Sequence, residues 1–302
     1  MRELWQRVGS TLEALWSPEP IAAVQEFFGP RWEWFFNAVT LLGTIYAIAV
    51  VVALALWLGG RRLAYGLVGA VLLATATNAL LWTLVGVPRP DDPDVVVRAH
   101  LGVSSFPSGH TVIATVLWGS LAKFSRVWLA IPMLVVPAVM LSRLYLGAHY
   151  PGDVLGGALI GLLLVVAYAL LRPAIMHRFS RLPVWFFLIL GFCTPFAVLF
   201  FVGPLPRGWE LFGVAMAAGI GLPLEYRYVG FEPAKATFRR QALKVSIGLG
   251  GMAPLLLARG LIGGNQAILD TTLLALAVLW GVLVAPAMFA YLGLSQRPVQ
   301  RR

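Results

Sequence analysis

The chain has 302 residues, 59% of them hydrophobic and only 12% charged, with a mean hydropathy of +0.82. A soluble chain carries about 25% charged residues, so an ordinary water-soluble domain is excluded. The net charge of +10 is scattered over short loops rather than gathered in one groove, which argues against nucleic-acid binding and for contact with anionic lipid heads.

Apolar runs of about 20 residues are long enough to cross a hydrocarbon core of about 30 Å. Nine stretches are candidate spans: 37–58, 64–86, 108–123, 127–146, 152–171, 184–203, 209–223, 243–262 and 270–293. The expected fold class is therefore all-α, a polytopic integral membrane helical bundle of about nine transmembrane helices. Ahead of the first span, Leu4, Val8, Leu12, Leu15 and Trp16 alternate with Glu3, Arg7 and Glu13. Residues 1–35 thus read as an amphipathic interfacial segment, running from Glu3 to Phe28 and broken by Pro18 and Pro20, without the apolar centre of a cleavable signal. Trp32 and Trp34 read as an interfacial anchor.

The second span ends at Gly86-Val87-Pro88-Arg89-Pro90, where two prolines present an arginine with restricted backbone freedom. The loop that follows holds Asp91, Asp92 and Asp94, but no His or further acid at ligand spacing, so a solvated turn is preferred to a metal site. Arg98 and His100 in this loop are candidates to touch a substrate head group.

Pro107-Ser108-Gly109-His110 opens the third span. A helix start attracts anions through its free N–H groups and its dipole. Ser108 adds a hydroxyl and Gly109 lets the backbone approach a phosphate, which places His110 to protonate a departing oxygen. Between the fourth and fifth spans lies Ser142-Arg143-Leu144-Tyr145-Leu146-Gly147-Ala148-His149-Tyr150-Pro151-Gly152-Asp153. Pro151 suits the first position of a helix, which sets His149 just before the helix and Asp153 in its first turn, within reach of the imidazole. An Asp-oriented imidazole beside a fixed cation is the arrangement expected of a histidine that attacks phosphorus. Gly152, Gly156, Gly157 and Gly161 follow at small-xxx-small spacing, which favours close packing on a neighbouring helix.

From residue 183 onward four more spans follow with no catalytic constellation. Glu225 and Arg227 read as a pair at the membrane surface, and Cys193, the one cysteine, as a small packing residue inside a span. Whether this half shapes a lipid cleft or a homo-oligomer surface stays open.

Orientation follows from charge. Of the 23 Lys and Arg residues, fifteen fall in one set of alternate connections and eight in the other. The bias places the amino terminus outside and the carboxyl terminus in the cytoplasm. Arg89, the Ser108 cluster and the His149 cluster then share the outer side, as they must if they are to meet. His177 falls on the opposite side and receives no role.

Arg89-Pro90, Pro107-Ser108-Gly109-His110 and Ser142-Arg143-x5-His149-x3-Asp153 resemble the three signature motifs of the type 2 phosphatidic acid phosphatase (PAP2) family, which shares its catalytic core with the vanadium haloperoxidases. The resemblance covers roughly residues 60–172, in the right order. It implies a catalytic core at 36–182, with 183–302 as an extension of unassigned role. It further implies His149 as the nucleophile, Asp153 as its orienting carboxylate and His110 as the proton donor. Arg89, Arg143, Ser108 and the Gly109 N–H would hold the phosphoryl oxygens, with no metal and no cofactor. One position departs: the family lysine seven residues before Arg89 is Trp82 here. A lost charge-assisted contact is worth about 1.5–3 kcal/mol, to be made good by Arg98 or exchanged for a Trp82 contact with a lipid tail.

The expected function is hydrolysis of a lipid phosphate or diphosphate through a phosphohistidine, at the outer face of the cytoplasmic membrane. Isoprenyl diphosphate is the preferred substrate class, over phosphatidic acid, phosphatidylglycerol phosphate or a lipid A phosphate. A head-group transferase on the same core is the alternative, and a non-catalytic lipid transporter the third reading. Membrane lipids are the expected partners.

Overall fold

A computed structural model describes residues 13–99, 104–122, 126–179, 182–202, 208–233, 237–262 and 267–295. The beginning of the interfacial segment (Glu3 to Leu12) and His100 lie outside the described residues. Within them the fold is all-helical, with no strand and one isolated bridge between Pro233 and Ser295. In chain order the helices are α1 (Glu19–Phe28), α2 (Glu33–Thr40), α3 (Ile45–Leu54), α4 (Arg61–Val85), α5 (Gly109–Gly119), α6 (Arg126–Tyr145) and α7 (Pro151–Phe179). They continue as α8 (Val184–Val202), α9 (Gly208–Leu224), α10 (Phe238–Ile262), α11 (Ala267–Leu279) and α12 (Ala285–Tyr291). Wide π turns at Ala55–Gly59, Glu225–Val229 and Trp280–Val284 follow α3, α9 and α11.

Each of the nine candidate stretches contains helix among the described residues, but fewer than nine are long enough to span. Among the described residues four stretches are long and apolar enough to cross a membrane: Arg61–Val85, Pro151–Ala174, Phe238–Ala258 and Ala267–Tyr291. A fifth arises if Pro30–Gly43 and Ile45–Gly59, bent by 57°, count as one span. The break has a local cause. Thr44 is extended (φ −111°, ψ 175°) and turns its hydroxyl back onto the Leu41 carbonyl at 2.7 Å. Gly43 is held so closely that a Cβ there would lie 2.6 Å from the His110 carbonyl oxygen. Helix α5 has 11 residues, about 16 Å at 1.5 Å per residue, roughly half a hydrocarbon core.

The chain divides into two compact units, Met1–Ala47 with Gly69–Leu171, and Ile48–Val68 with Arg172–Arg302. In the first, Ala70 and Ala74 of α4 pack on Val112 and Val116 of α5 and Tyr168 of α7. Small residues set the depth of this packing. A Cβ on Gly157 would meet the Ser108 carbonyl at 2.9 Å, and one on Gly161 the Thr115 Cβ at 2.6 Å. The glycine spacing in α7 is therefore used as expected, against α5 and the turn before it. A second cluster forms round Phe36, Tyr145 and Leu146, with the Phe36 and Tyr145 rings stacked 4.2 Å apart. The early segment straps this cluster down. Buried Gln25 donates to the Val96 and Tyr145 carbonyls at 2.8 and 2.9 Å and accepts from the Val96 N–H at 3.0 Å. The Gly152 N–H, at the start of α7, donates to the Leu15 carbonyl at 2.7 Å.

In the second unit the π turns free backbone carbonyls, which long side chains then satisfy. Buried Lys244 donates to the Trp57 carbonyl at 2.9 Å, and the Trp57 indole to the Gly281 carbonyl at 2.8 Å. Two sequence expectations are corrected here. Glu225 is fully buried and accepts from the Phe231 N–H (2.8 Å) and the Tyr65 hydroxyl (3.3 Å), not from Arg227, because the π turn carries it inward. Arg227 lies instead over the Tyr228 ring, 5.6 Å away. Cys193 is exposed on α8 rather than packed.

Candidate active site

The polar motif residues all belong to the first unit, and helix ends bring them in. Pro151 begins α7, as its fixed φ favours, and the carboxylate of Asp153 in the first turn accepts the Tyr150 N–H at 2.8 Å. Asp153 is fully buried and also takes the Ser105 hydroxyl in a short hydrogen bond. The Asp153 carbonyl receives the Ser108 N–H at 3.1 Å, which ties the start of α5 to the start of α7.

His149 is 1% exposed. Its Nδ1 lies 2.9 Å from the Ser105 carbonyl and 3.7 Å from Asp153 Oδ2. The hydrogen bond is therefore to the backbone carbonyl, while Asp153 acts on the ring through its charge, since 3.7 Å is too long for a direct bond. A carbonyl only accepts, so Nδ1 carries the proton and Nε2 is left as an unprotonated acceptor. That nitrogen faces Arg89 Nη1 at 3.4 Å. Burial pushes the His149 imidazole below its ordinary 6.5; Asp153 opposes this, and the charges of Arg143 and Arg89 add to it.

Arg89 is held between two carbonyls, Nη1 on Ala148 at 2.7 Å and Nη2 on Ser104 at 2.9 Å, and its Nε has no hydrogen-bond partner among the described residues. Burial lowers its affinity for the proton, with Asp153 opposing. Arg143, in the last turn of α6, is 1% exposed and donates to the Thr40 hydroxyl at 2.9 Å. Ser108 is fully buried and accepts from the Thr111 hydroxyl at 3.0 Å. His110 is half-buried in the first turn of α5, two residues beyond the link to Asp153. The site thus gathers an unprotonated imidazole nitrogen, guanidinium groups and a helix start, a set suited to a tetrahedral oxyanion. Among the described residues no group of three or more His, Cys, Asp or Glu could hold a metal ion.

Two expected contacts are placed elsewhere. Arg98 pairs with Glu33 at 3.4 Å and lies 4.9 Å over the Tyr145 ring. The Trp82 indole donates to the Pro107 carbonyl at 2.9 Å. Asp92 receives the Asp94 N–H at 3.0 Å, an ordinary turn, and with Asp91 raises the Tyr150 phenol behind the larger effects of burial and Asp153. The residue that motif reading passed over is Ser105. Its hydroxyl and carbonyl serve Asp153 and His149 respectively, and a backbone carbonyl leaves no trace in residue type.

Residues 63–177 match the PAP2 superfamily, and residues 209–297 match the PAP2 superfamily phosphatase, transmembrane extension. Among named relatives, the Escherichia coli K12 protein named "Putative undecaprenyl-diphosphatase YbjG" is 29% identical over 57% of this chain and 85% of its own length. Decaprenylphosphoryl-5-phosphoribose phosphatase of Mycolicibacterium smegmatis is 38% identical over 36% of this chain and 61% of its own. Lipid A 4'-phosphatase of Bacteroides thetaiotaomicron is 32% identical over 44% and 66%. No solved structure matches the chain. Matching one superfamily in both halves, the chain belongs to it, as a membrane lipid phosphatase whose PAP2 core is followed by the superfamily's transmembrane extension.

Proposed function

We propose that the enzyme removes the terminal phosphate of a polyisoprenyl-type lipid phosphate or diphosphate at the outer face of the cytoplasmic membrane, through a phosphohistidine on His149. The observation that carries this is the Nδ1 contact with the Ser105 carbonyl, which leaves Nε2 deprotonated next to Arg89. The Nε2 lone pair attacks phosphorus, and the bond from phosphorus to the leaving oxygen breaks. That oxygen takes a proton from His110. Water then displaces the phosphoryl group, which releases inorganic phosphate and restores the imidazole. Arg89, Arg143, Ser108 and the Gly109 N–H hold the three non-bridging oxygens, where in-line transfer needs most stabilisation. Asp153 orients His149 and balances its charge when the nitrogen is phosphorylated.

The substrate class draws support from relatives named for undecaprenyl and decaprenylphosphoryl lipids. The outer face is supported by the loop charge bias, with nine crossings, the amino terminus outside and the carboxyl terminus inside. Residues 36–182 form the catalytic core in this reading, and residues 183–302 are an extension of unassigned role. Purified enzyme given isoprenyl diphosphates and monophosphates should release phosphate and, on rapid quenching, carry acid-labile, base-stable phosphate. His149→Ala should do neither, and activity retained by that variant would overturn the proposal.

A further inference from the structure

Position 82 is where the family places a phosphate-binding lysine, and the structure says what this chain does there instead. Trp82 lies in the last turn of α4, and its indole N–H donates to the Pro107 carbonyl at 2.9 Å. Its ring edge also closes on the next turn of the same loop. A Cβ built on Gly109 would lie 3.0 Å from Trp82 Cζ2 and 2.9 Å from the amide nitrogen of Asn78. Asn78 stands one helical turn before Trp82, is 6% exposed, and its Oδ1 has no hydrogen-bond partner among the described residues. The face of α4 that begins in the core with Ala70 and Ala74 therefore ends as a brace against Pro107 and Gly109.

We infer that Trp82 is a positioning residue, whose indole fixes the Pro107–Gly109 turn so that the Ser108 hydroxyl and the Gly109 N–H meet the bound phosphate oxygens. The inference rests on the phosphatase reading above, but it assigns Trp82 neither a tail contact nor a charge. Three features make the turn dependent on an outside brace. The Ser108 side chain makes no capping bond to the start of α5. Gly109 has no side chain to lock it. The Pro107 carbonyl precedes the helix and has no ladder partner of its own. An anion cradle gains from being held in place before the ligand arrives, because the ordering cost is then already met in folding.

The test measures inhibition by inorganic phosphate, alongside kcat, KM and thermal unfolding, in full-length enzyme. Trp82→Phe keeps an aromatic ring against Gly109 and removes the N–H. It should weaken phosphate inhibition about five-fold, the scale of one neutral hydrogen bond, and lower kcat/KM by a similar factor with the unfolding temperature close to wild type. A purely structural role would lower the active fraction and leave the phosphate inhibition constant and KM unchanged. That result overturns the inference. Should the ring substitution fold poorly, Trp82→Gln, which can still donate to the Pro107 carbonyl, should bind phosphate about five-fold more tightly than Trp82→Leu; equal binding by the two also overturns it. Failure of the phosphatase reading is separately visible, as wild-type enzyme without phosphate release or His149→Ala with it.

Discussion

Ser105 does two jobs that neither the histidine nor the aspartate could do alone. Its carbonyl fixes the His149 tautomer at 2.9 Å, and its hydroxyl holds the carboxylate that stands behind the ring. Ser105→Ala keeps the carbonyl but leaves Asp153 Oδ2 with the Tyr150 N–H alone. Loss of a charge-assisted bond should lower kcat by about 10- to 100-fold with the fold retained, as steady-state kinetics beside thermal unfolding would show. The buried imidazole also links stability to acidity. Its affinity for the proton is lowered by burial first, so below pH 6.5 the unfolded chain binds a proton that the folded one refuses. Stability contributed by this group is therefore present above pH 6.5 and lost as pH falls. His149→Gln should show a smaller drop in unfolding temperature between pH 7.5 and 5 than wild type. An equal drop would assign the acid sensitivity to other groups.

Helix ends rather than helix middles carry the site, and their meeting depends on two close approaches. The start of α5 is set by α7, where Gly157 lies against the Ser108 carbonyl and the Asp153 carbonyl takes the Ser108 N–H. It is set on another side by Gly43, at the break that bends the first apolar stretch by 57°. The bend thus serves the site, because a straight helix with a side chain at position 43 would push into the His110 backbone. Gly157→Ala places a methyl 2.9 Å from the Ser108 carbonyl. Overpacking of this kind costs about 1–3 kcal/mol, and here it should also shift the anion cradle. Denaturant titration should show the stability loss, and phosphate inhibition should weaken with it. The early segment acts at the same scale. Gln25 joins the loop at Val96 to the end of α6 at Tyr145, so a stretch expected to lie in the interface also ties parts of the first unit together.

For the whole molecule, the proposed orientation makes a direct prediction. With exposed Cys193 replaced by serine, Trp34→Cys should react with an impermeant maleimide from outside intact cells, and Tyr228→Cys only after permeabilisation; both positions are exposed. The reverse pattern would invert the topology and place the site in the cytoplasm. Much of this molecule was legible beforehand. Hydropathy marked the apolar helices after α1, and residue type singled out Arg89, Ser108, His110, Arg143, His149 and Asp153 as candidates, because membrane insertion and phosphoryl chemistry each demand particular side chains in nearly local patterns. Other features were decided only by the fold. They include the Ser105 carbonyl as the partner of His149, Trp82 as a brace on Pro107, the inward turn of Glu225, and, among the described residues, the four or five helices long enough to span. These depend on backbone groups, on helix breaks and on residues 25, 44 and 160 positions apart in the chain, none of which a local pattern of side chains encodes.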